Sequence, residues 1–252
     1  MNTLENNESA ENIVEVNIIK ALRSYGFNMD DLELSQFSEA FRHIKRPLLR
    51  KAAKDRASGT DEGKANVVMV VSAHPAEGKT FVASNLAVSM AAEKDKSVLL
   101  IDADVARSSV SEFFGIEAEH GFVEYLLGEV PNLADVVLET NKSNFRILPV
   151  GRRYQHATEL FSSENTAKLM RDIASASQER IVIIDSPPLF AATESLALAE
   201  LAGQIVVVVE SGGNQKELKD ALALLDLSRV TGAIFNKSRN PSRPYYYGYG
   251  DE

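Results

Sequence analysis

The sequence contains no cysteine, no tryptophan and only four histidines. Without cysteine there can be no disulfide, no thiolate zinc site and no cysteine nucleophile, a pattern that fits the cytoplasm. The histidines, at 43, 74, 120 and 156, show no metal-ligand spacing, and Ser72 and Ser84 have no visible histidine–acid partners. Zinc sites and hydrolase triads are therefore discounted. No apolar run approaches the roughly 18 residues needed to span a bilayer. The opening MNTLENNESAEN is too acidic and polar for a signal peptide. Basic charge is also in short supply: 27 Lys and Arg against 36 Asp and Glu give a net charge of −9. No nucleic-acid partner is expected of such a chain. What remains is ordinary for a globular α/β protein: 44% hydrophobic and 25% charged residues over 252 positions exclude a mostly disordered chain.

Residues 1–12 read as a disordered start. Residues 13–24 and 33–46 have apolar positions at helical spacing, and Pro47 is expected to interrupt the second helix. The polar stretch 53–66 reads as a linker, so 13–66 form a helical region ahead of the main domain, 67–240. From residue 67 the pattern changes to short apolar, β-branched runs at 67–71, 97–101, 145–150, 180–184, 204–209 and 230–235. Helical segments at 79–93, 122–128, 163–177, 193–202 and 214–228 lie between them. Strands that are apolar throughout belong to sheets covered on both faces. The expected fold is a doubly wound α/β domain with a mostly parallel sheet, whose ligands bind at the strands' carboxyl ends.

The first run leads directly into Ala73-His74-Pro75-Ala76-Glu77-Gly78-Lys79-Thr80, and a helix follows. This is the phosphate-loop pattern, with Ala73 in place of its first glycine. Loop amides and the helix N-terminus can cradle phosphate oxygens, Lys79 can reach the β- and γ-phosphates, and the Thr80 hydroxyl can ligate Mg²⁺. With the adjoining Phe81, these residues are the candidate ATP site. The second run ends in Asp102-Ala103-Asp104 and the fourth in Asp185-Ser186-Pro187-Pro188. Carboxylates at these strand ends would stand over the nucleotide, and Mg²⁺ prefers such oxygen donors. Thr80, Asp104 and Asp185 are the candidate metal ligands. Asp102 is the candidate for orienting or deprotonating an acceptor hydroxyl, with exchange between Asp102 and Asp104 left open. Lys79, Asp102 and Asp104 form the catalytic set. Asn236, closing the last run, offers a donor and an acceptor that suit an adenine edge.

Two further features stand out. Four of the seven tyrosines, Tyr245, Tyr246, Tyr247 and Tyr249, fall in the last eight residues, and 241–252 read as a tail that cannot build a core. Attached to an ATP site, the cluster reads as a phosphate acceptor. Between 42 and 56, seven basic residues stand against Asp55 alone, a local net of 7 − 1 = +6. That stretch suits an anionic membrane or an acidic face of a neighbouring subunit.

Taken together, these motifs resemble the bacterial tyrosine kinases, which use a phosphate-loop ATPase fold. SAHPAEGKT is similar to that family's Walker A, with Ala76 replacing a glycine; VLLIDAD (98–104) is similar to its Walker A′ and IVIIDSPP (181–188) to its Walker B. The family's arginine after Walker A′ falls on Ala106, with Arg107 adjacent. EAFRHIKRPLL (39–49), DADVAR (102–107), GRRYQHATEL (151–160) and YYYGYG (245–250) resemble the stand-alone cytoplasmic branch tied to exosortase and exopolysaccharide-export loci. The resemblance implies an autokinase that transfers phosphate from ATP, with Mg²⁺, to its tyrosine tail between subunits. It implies a ring-like homo-oligomer held through Glu39, Arg42 and Lys45. A separate transmembrane co-polymerase activator, which would hold the kinase at the inner face of the membrane, and an opposing phosphotyrosine phosphatase also follow from it. Two rivals share the fold: a Min- or partition-type ATPase switch, whose signature lysine would fall on His74, and a non-catalytic nucleotide-sensing scaffold.

Overall fold

The computed structural model describes residues 13–24, 30–59 and 63–238. Seven strands among them form one sheet: β1 (Val67–Ser72), β2 (Ser97–Asp102), β3 (Leu138–Glu139), β4 (Phe145–Leu148), β5 (Arg180–Asp185), β6 (Gln204–Glu210) and β7 (Val230–Asn236). Their order is β3-β4-β2-β5-β1-β6-β7, and every pairing is parallel except β3 with β4. The helices are α1 (Ile18–Ser24), α2 (Asp31–Ser58), α3 (Lys79–Ala91), α4 (Ser109–Phe114), α5 (Phe122–Leu126), α6 (Ala157–Phe161), α7 (Glu164–Ser175), α8 (Glu194–Leu201) and α9 (Gln215–Leu222). The expected doubly wound architecture is present.

The period of two along each strand divides the core. In β1, Val67, Met69 and Val71 face a layer with Met170 and Ile173 of α7, Leu198 of α8 and Ala221 of α9. Val68 and Val70 face the other layer, with Val82, Leu86 and Met90 of α3 and Phe41 and Leu48 of α2. Both faces of β1 are therefore dry, which explains why the run is apolar without alternation. The central position of β1 places the segment that follows it between β5 and β6, where ligands of such sheets bind.

The N-terminal region departs from expectation. Residues 13–17 are extended: the Val14 N–H donates to the Glu139 carbonyl at 2.9 Å, so this segment pairs beside β3 rather than extending α1. Helix α2 runs through Pro47 to Ser58, into the stretch expected as a linker. It starts with a reciprocal Asp30–Glu33 capping box and ends on Gly59 at φ +67°. An internal proline costs a helix about 3 kcal/mol. Here Pro47 lies on the exposed side. The buried positions Phe41, Lys45, Leu48 and Ala52 continue on both sides of it. That continuous packed stripe outweighs the lost backbone bond. The buried Gln204 amide fixes the helix further, donating to the carbonyls of Leu48 (3.0 Å) and Ala65 (2.8 Å). No helix of the described residues is long and apolar enough to cross a membrane.

Candidate active site

β1 delivers the chain into the 73–78 loop, and α3 begins at Lys79. The loop holds its own shape. Ser72 Oγ donates to the His74 carbonyl at 2.7 Å. Glu77 turns back: its Oε2 accepts from the His74 N–H at 2.8 Å and its Oε1 from the Glu210 N–H at 3.3 Å. The Leu189 and Phe190 N–H groups donate to the carbonyls of Ser72 and Ala73, so the segment after β5 braces the loop's first half. Ala76 has φ +66° and Gly78 has φ +100°, both in the left-handed region. Ala76 thus adopts a conformation that glycine accepts more readily, at the position where the family pattern has glycine. At Gly78 a side chain is barred twice over, because a Cβ there would lie 2.0 Å from Asn236 Nδ2.

Lys79 is buried, and its Nζ stands 3.9 Å from Asp104 Oδ2, beyond hydrogen-bond reach. The Thr80 hydroxyl donates to Asp185 Oδ2 at 2.6 Å. Asp102, Asp104 and Asp185 are all buried, and Asp102 and Asp185 are direct neighbours across the β2–β5 ladder. Burial raises the Asp185 carboxyl to about 7, against the opposing pull of Lys79 and the Thr80 hydroxyl. Burial also raises Asp102, to about 8, and the nearby Asp185 charge adds to the rise while two backbone N–H groups oppose it. The two carboxyls share one desolvated patch, so neither ionises independently of the other.

The three carboxylates differ in what occupies them. Asp102 spends both oxygens on backbone: Oδ1 accepts from Asp104 N–H at 3.1 Å and Oδ2 from Val110 N–H at 3.0 Å. It fixes the turn between β2 and α4. Asp104 Oδ2 and Asp185 Oδ1 are buried without a hydrogen-bond partner. Two buried carboxylate oxygens without a partner, with the Thr80 hydroxyl on the other oxygen of Asp185, are hard oxygen donors of the kind that Mg²⁺ prefers. The residues present fit that ion. Each Asp102 oxygen therefore already accepts one backbone N–H, whereas Asp104 is the member of the pair with an oxygen that has no hydrogen-bond partner.

The remaining expected residues fall as follows. Asn236 Nδ2 donates to the Glu77 carbonyl at 2.9 Å, so the amide nitrogen expected at an adenine edge is engaged on the loop. The Phe81 ring turns into α2, 5.8 Å from Phe37, so only its backbone, in the first turn of α3, stands beside the loop. His74 Nε2 lies 2.9 Å from Glu217 Oε2, and its ring meets Phe190 edge-on at 5.2 Å. His74, Pro75 and Glu217 help line a cleft of about 260 Å³ between the loop and the start of α9. Glu217 carried no motif, so nothing in the sequence pointed to it. Of the expected assembly residues, Glu39 and Arg42 pair with each other at 2.6 Å on the open side of α2. Lys45 does not join them. It is buried, donates to the Ser89 carbonyl at 2.7 Å and pairs with Glu93 at 2.6 Å, inside the protomer. Tyr245, Tyr246, Tyr247 and Tyr249 lie outside the described residues.

The fold and loop define a phosphate-loop nucleotide-binding protein, and residues 65–217 match the AAA domain family. Over 186 residues the chain is 35% identical to the tyrosine-protein kinase YwqD of Bacillus subtilis, covering 72% of this chain and 76% of that protein. It is 33% identical over 215 residues to the succinoglycan biosynthesis transport protein ExoP of Rhizobium meliloti, covering 82% of this chain but 26% of ExoP. The solved kinase domain of the Escherichia coli tyrosine kinase ETK superposes with a TM-score of 0.67 at 29% identity, over 84% of this chain and 80% of that one. The chain belongs to the bacterial tyrosine kinase family.

Proposed function

We propose that this chain is an ATP-dependent protein-tyrosine autokinase. It phosphorylates Tyr245, Tyr246, Tyr247 and Tyr249 of a neighbouring copy and so regulates exopolysaccharide polymerisation and export. The observation that carries this reading is the convergence of Lys79, Thr80, Asp104 and Asp185 beside the phosphate loop, with one open carboxylate oxygen on each aspartate. The names of YwqD and ExoP support the activity and the export context respectively.

In the proposed reaction the tyrosine Oη bonds to the γ-phosphorus of ATP. The bond from that phosphorus to the β–γ bridging oxygen breaks, its electron pair leaves with ADP, and the phenol proton passes to water. Such transfer is chiefly a matter of positioning and charge stabilisation. Loop amides and the first turn of α3 bind the phosphates, and Lys79 offsets charge on the moving group. Thr80, Asp104 and Asp185 would hold Mg²⁺, which when bound neutralises phosphate charge. Asp102 is a positioning residue that fixes the turn carrying Asp104. Asn236 and Glu77 hold the loop from the β7 and β6 sides. Glu39 and Arg42 supply the outer face of α2 for ring-like assembly ahead of the 67–240 kinase domain. A separate transmembrane co-polymerase protein would activate the kinase and hold it at the inner face of the membrane, and a phosphatase would reset the tail.

Mass spectrometry of the tail peptide after incubation of phosphatase-treated protein with ATP and Mg²⁺ tests the reading. Phosphate is expected on the tail tyrosines, and Lys79→Met should lower its rate by at least about a hundredfold. Wild-type phosphate levels in that variant would sink the assignment. ATP hydrolysis with no phosphotyrosine would point to a switch of the partition type.

A further inference from the structure

Helix α2 carries a row of cations that its own protein leaves unused. Arg46, Arg50 and Lys54 are exposed and have no hydrogen bond or ion pair among the described residues. They stand on the side of the helix opposite the buried stripe of Phe41, Lys45, Leu48 and Ala52. The nearby carboxylates are already occupied: Glu39 holds Arg42 and lies 3.5 Å from His43, while Asp55 holds Lys51 at 2.7 Å. Like charges repeated at i, i+4 and i+8 repel, and nothing in the fold offsets them. The row therefore calls for an anion from outside the folded domain.

We infer that this row is a docking site for the phosphorylated tyrosine tail, of the same or a second copy. The inference rests on the proposed tail phosphorylation and assigns the product a binding surface. Residues 241–252 carry Arg243, Asp251 and Glu252, a net of 1 − 2 = −1 before modification. Each phosphate adds about −1.5 to −2, so three or four convert a nearly neutral segment into a polyanion. The spacing matches as well. Helical residues four apart repeat every ~6 Å, so Arg46 to Lys54 spans about 12 Å. In an extended bound segment, Tyr245, Tyr247 and Tyr249 would share one face and span about 13 Å. Three phosphates would then meet three cations in register. Two of the cations are arginines, whose planar forks suit phosphate oxygens. An anionic lipid surface would meet the same charge but has no reason to match a single 12 Å row.

The test uses the full chain carrying Lys79→Met, treated with phosphatase, so that its own tail is unmodified. Two fluorescent synthetic peptides of residues 241–252 are titrated against it, one phosphorylated at Tyr245, Tyr247 and Tyr249, the other unmodified. The phosphopeptide should bind at least about tenfold more tightly than the unmodified one. Adding Arg46→Ala, Arg50→Ala and Lys54→Ala together should remove that advantage while leaving the melting temperature unchanged, since all three side chains are free of the fold. Phosphopeptide affinity that survives the triple substitution overturns the inference. So does a row that binds phosphatidylserine-containing vesicles, in a manner the triple substitution abolishes, while phosphopeptide and plain peptide bind alike. Because the peptides are synthetic, either result stands apart from whether the chain phosphorylates itself, which the tail mass measurement decides.

Discussion

Asp102 and Asp104, two residues apart on the turn after β2, are joined by one hydrogen bond: the Asp104 N–H donates to Asp102 Oδ1 at 3.1 Å. The bond separates their tasks. Asp102 holds the turn with both oxygens, and Asp104 presents a buried Oδ2 that nothing in the protein satisfies. Replacing Asp102 with Ala strands two buried N–H groups and should cost about 2–4 kcal/mol of stability. Replacing Asp104 with Asn removes a buried carboxylate oxygen that has no hydrogen-bond partner but also the charge facing Lys79 at 3.9 Å, so the metal-free protein should change in stability by less than about 1 kcal/mol, while phosphotransfer falls at least about a hundredfold. Thermal unfolding and tail phosphorylation measured side by side check the pair. Equal losses of stability would contradict the division.

The phosphate loop carries strain at one position and a steric block at another. Ala76 at φ +66° costs about 1 kcal/mol relative to glycine, partly offset by glycine's greater freedom in the unfolded chain. Ala76→Gly should therefore be neutral to stabilising by up to about 1 kcal/mol. Gly78→Ala should instead lose about 2–3 kcal/mol, because the new Cβ displaces Asn236 from the Glu77 carbonyl and strains a φ of +100°. Nucleotide affinity, read by equilibrium titration of a fluorescent ATP analogue, should fall for Gly78→Ala and hold for Ala76→Gly.

Acidity couples the site to stability with a definite sign. Asp102 and Asp185 have carboxyls raised above the ordinary 3.8, to about 8 and about 7, by burial first of all. The folded protein thus keeps protons that the unfolded chain has released. From this pair the metal-free protein loses stability as pH rises from about 4 to about 8, and the loss is complete above the folded values. Of the two only Asp185 is placed to hold Mg²⁺, and in its ionised form, so the rise in melting temperature that Mg²⁺ and nucleotide give should grow between pH 6 and pH 8.5. Calorimetry across that range with a non-hydrolysable ATP analogue measures it. A shift that shrinks with pH would show that Asp185 does not face the metal.

Much of this was legible in the sequence because its signals are local. The β-branched runs placed six strands to within about two residues at either end, and Ala73–Thr80 marked the loop through its spacing alone. The failures have a common cause in tertiary packing. Pro47 suggested a break, but the buried stripe from Phe41 to Ala52 and the Gln204 amide carry α2 through it. Lys45 lay on a motif for assembly, yet the fold turns it inward onto the Ser89 carbonyl of α3 and onto Glu93 in the turn after that helix. Asp102 and Asp104 are indistinguishable as letters; only the Val110 N–H, supplied by a helix too short to read from its pattern, separates them. Asn236 offered both a donor and an acceptor, and the close approach of Gly78 decided where the donor went.

Transfer between subunits is tested by mixing two chains, each unable to phosphorylate its own tail. A donor chain has Tyr245, Tyr246, Tyr247 and Tyr249 replaced by Phe, and an acceptor chain carries Lys79→Met with its tail intact. Each alone with ATP and Mg²⁺ should stay unphosphorylated at the tail. Mixed, they should place phosphate on the acceptor's tyrosines, read as added mass on the acceptor's tail peptide, and Asp104→Asn in the donor should abolish it. An acceptor tail that remains unmodified, under conditions where the wild-type chain phosphorylates its own, would contradict the account.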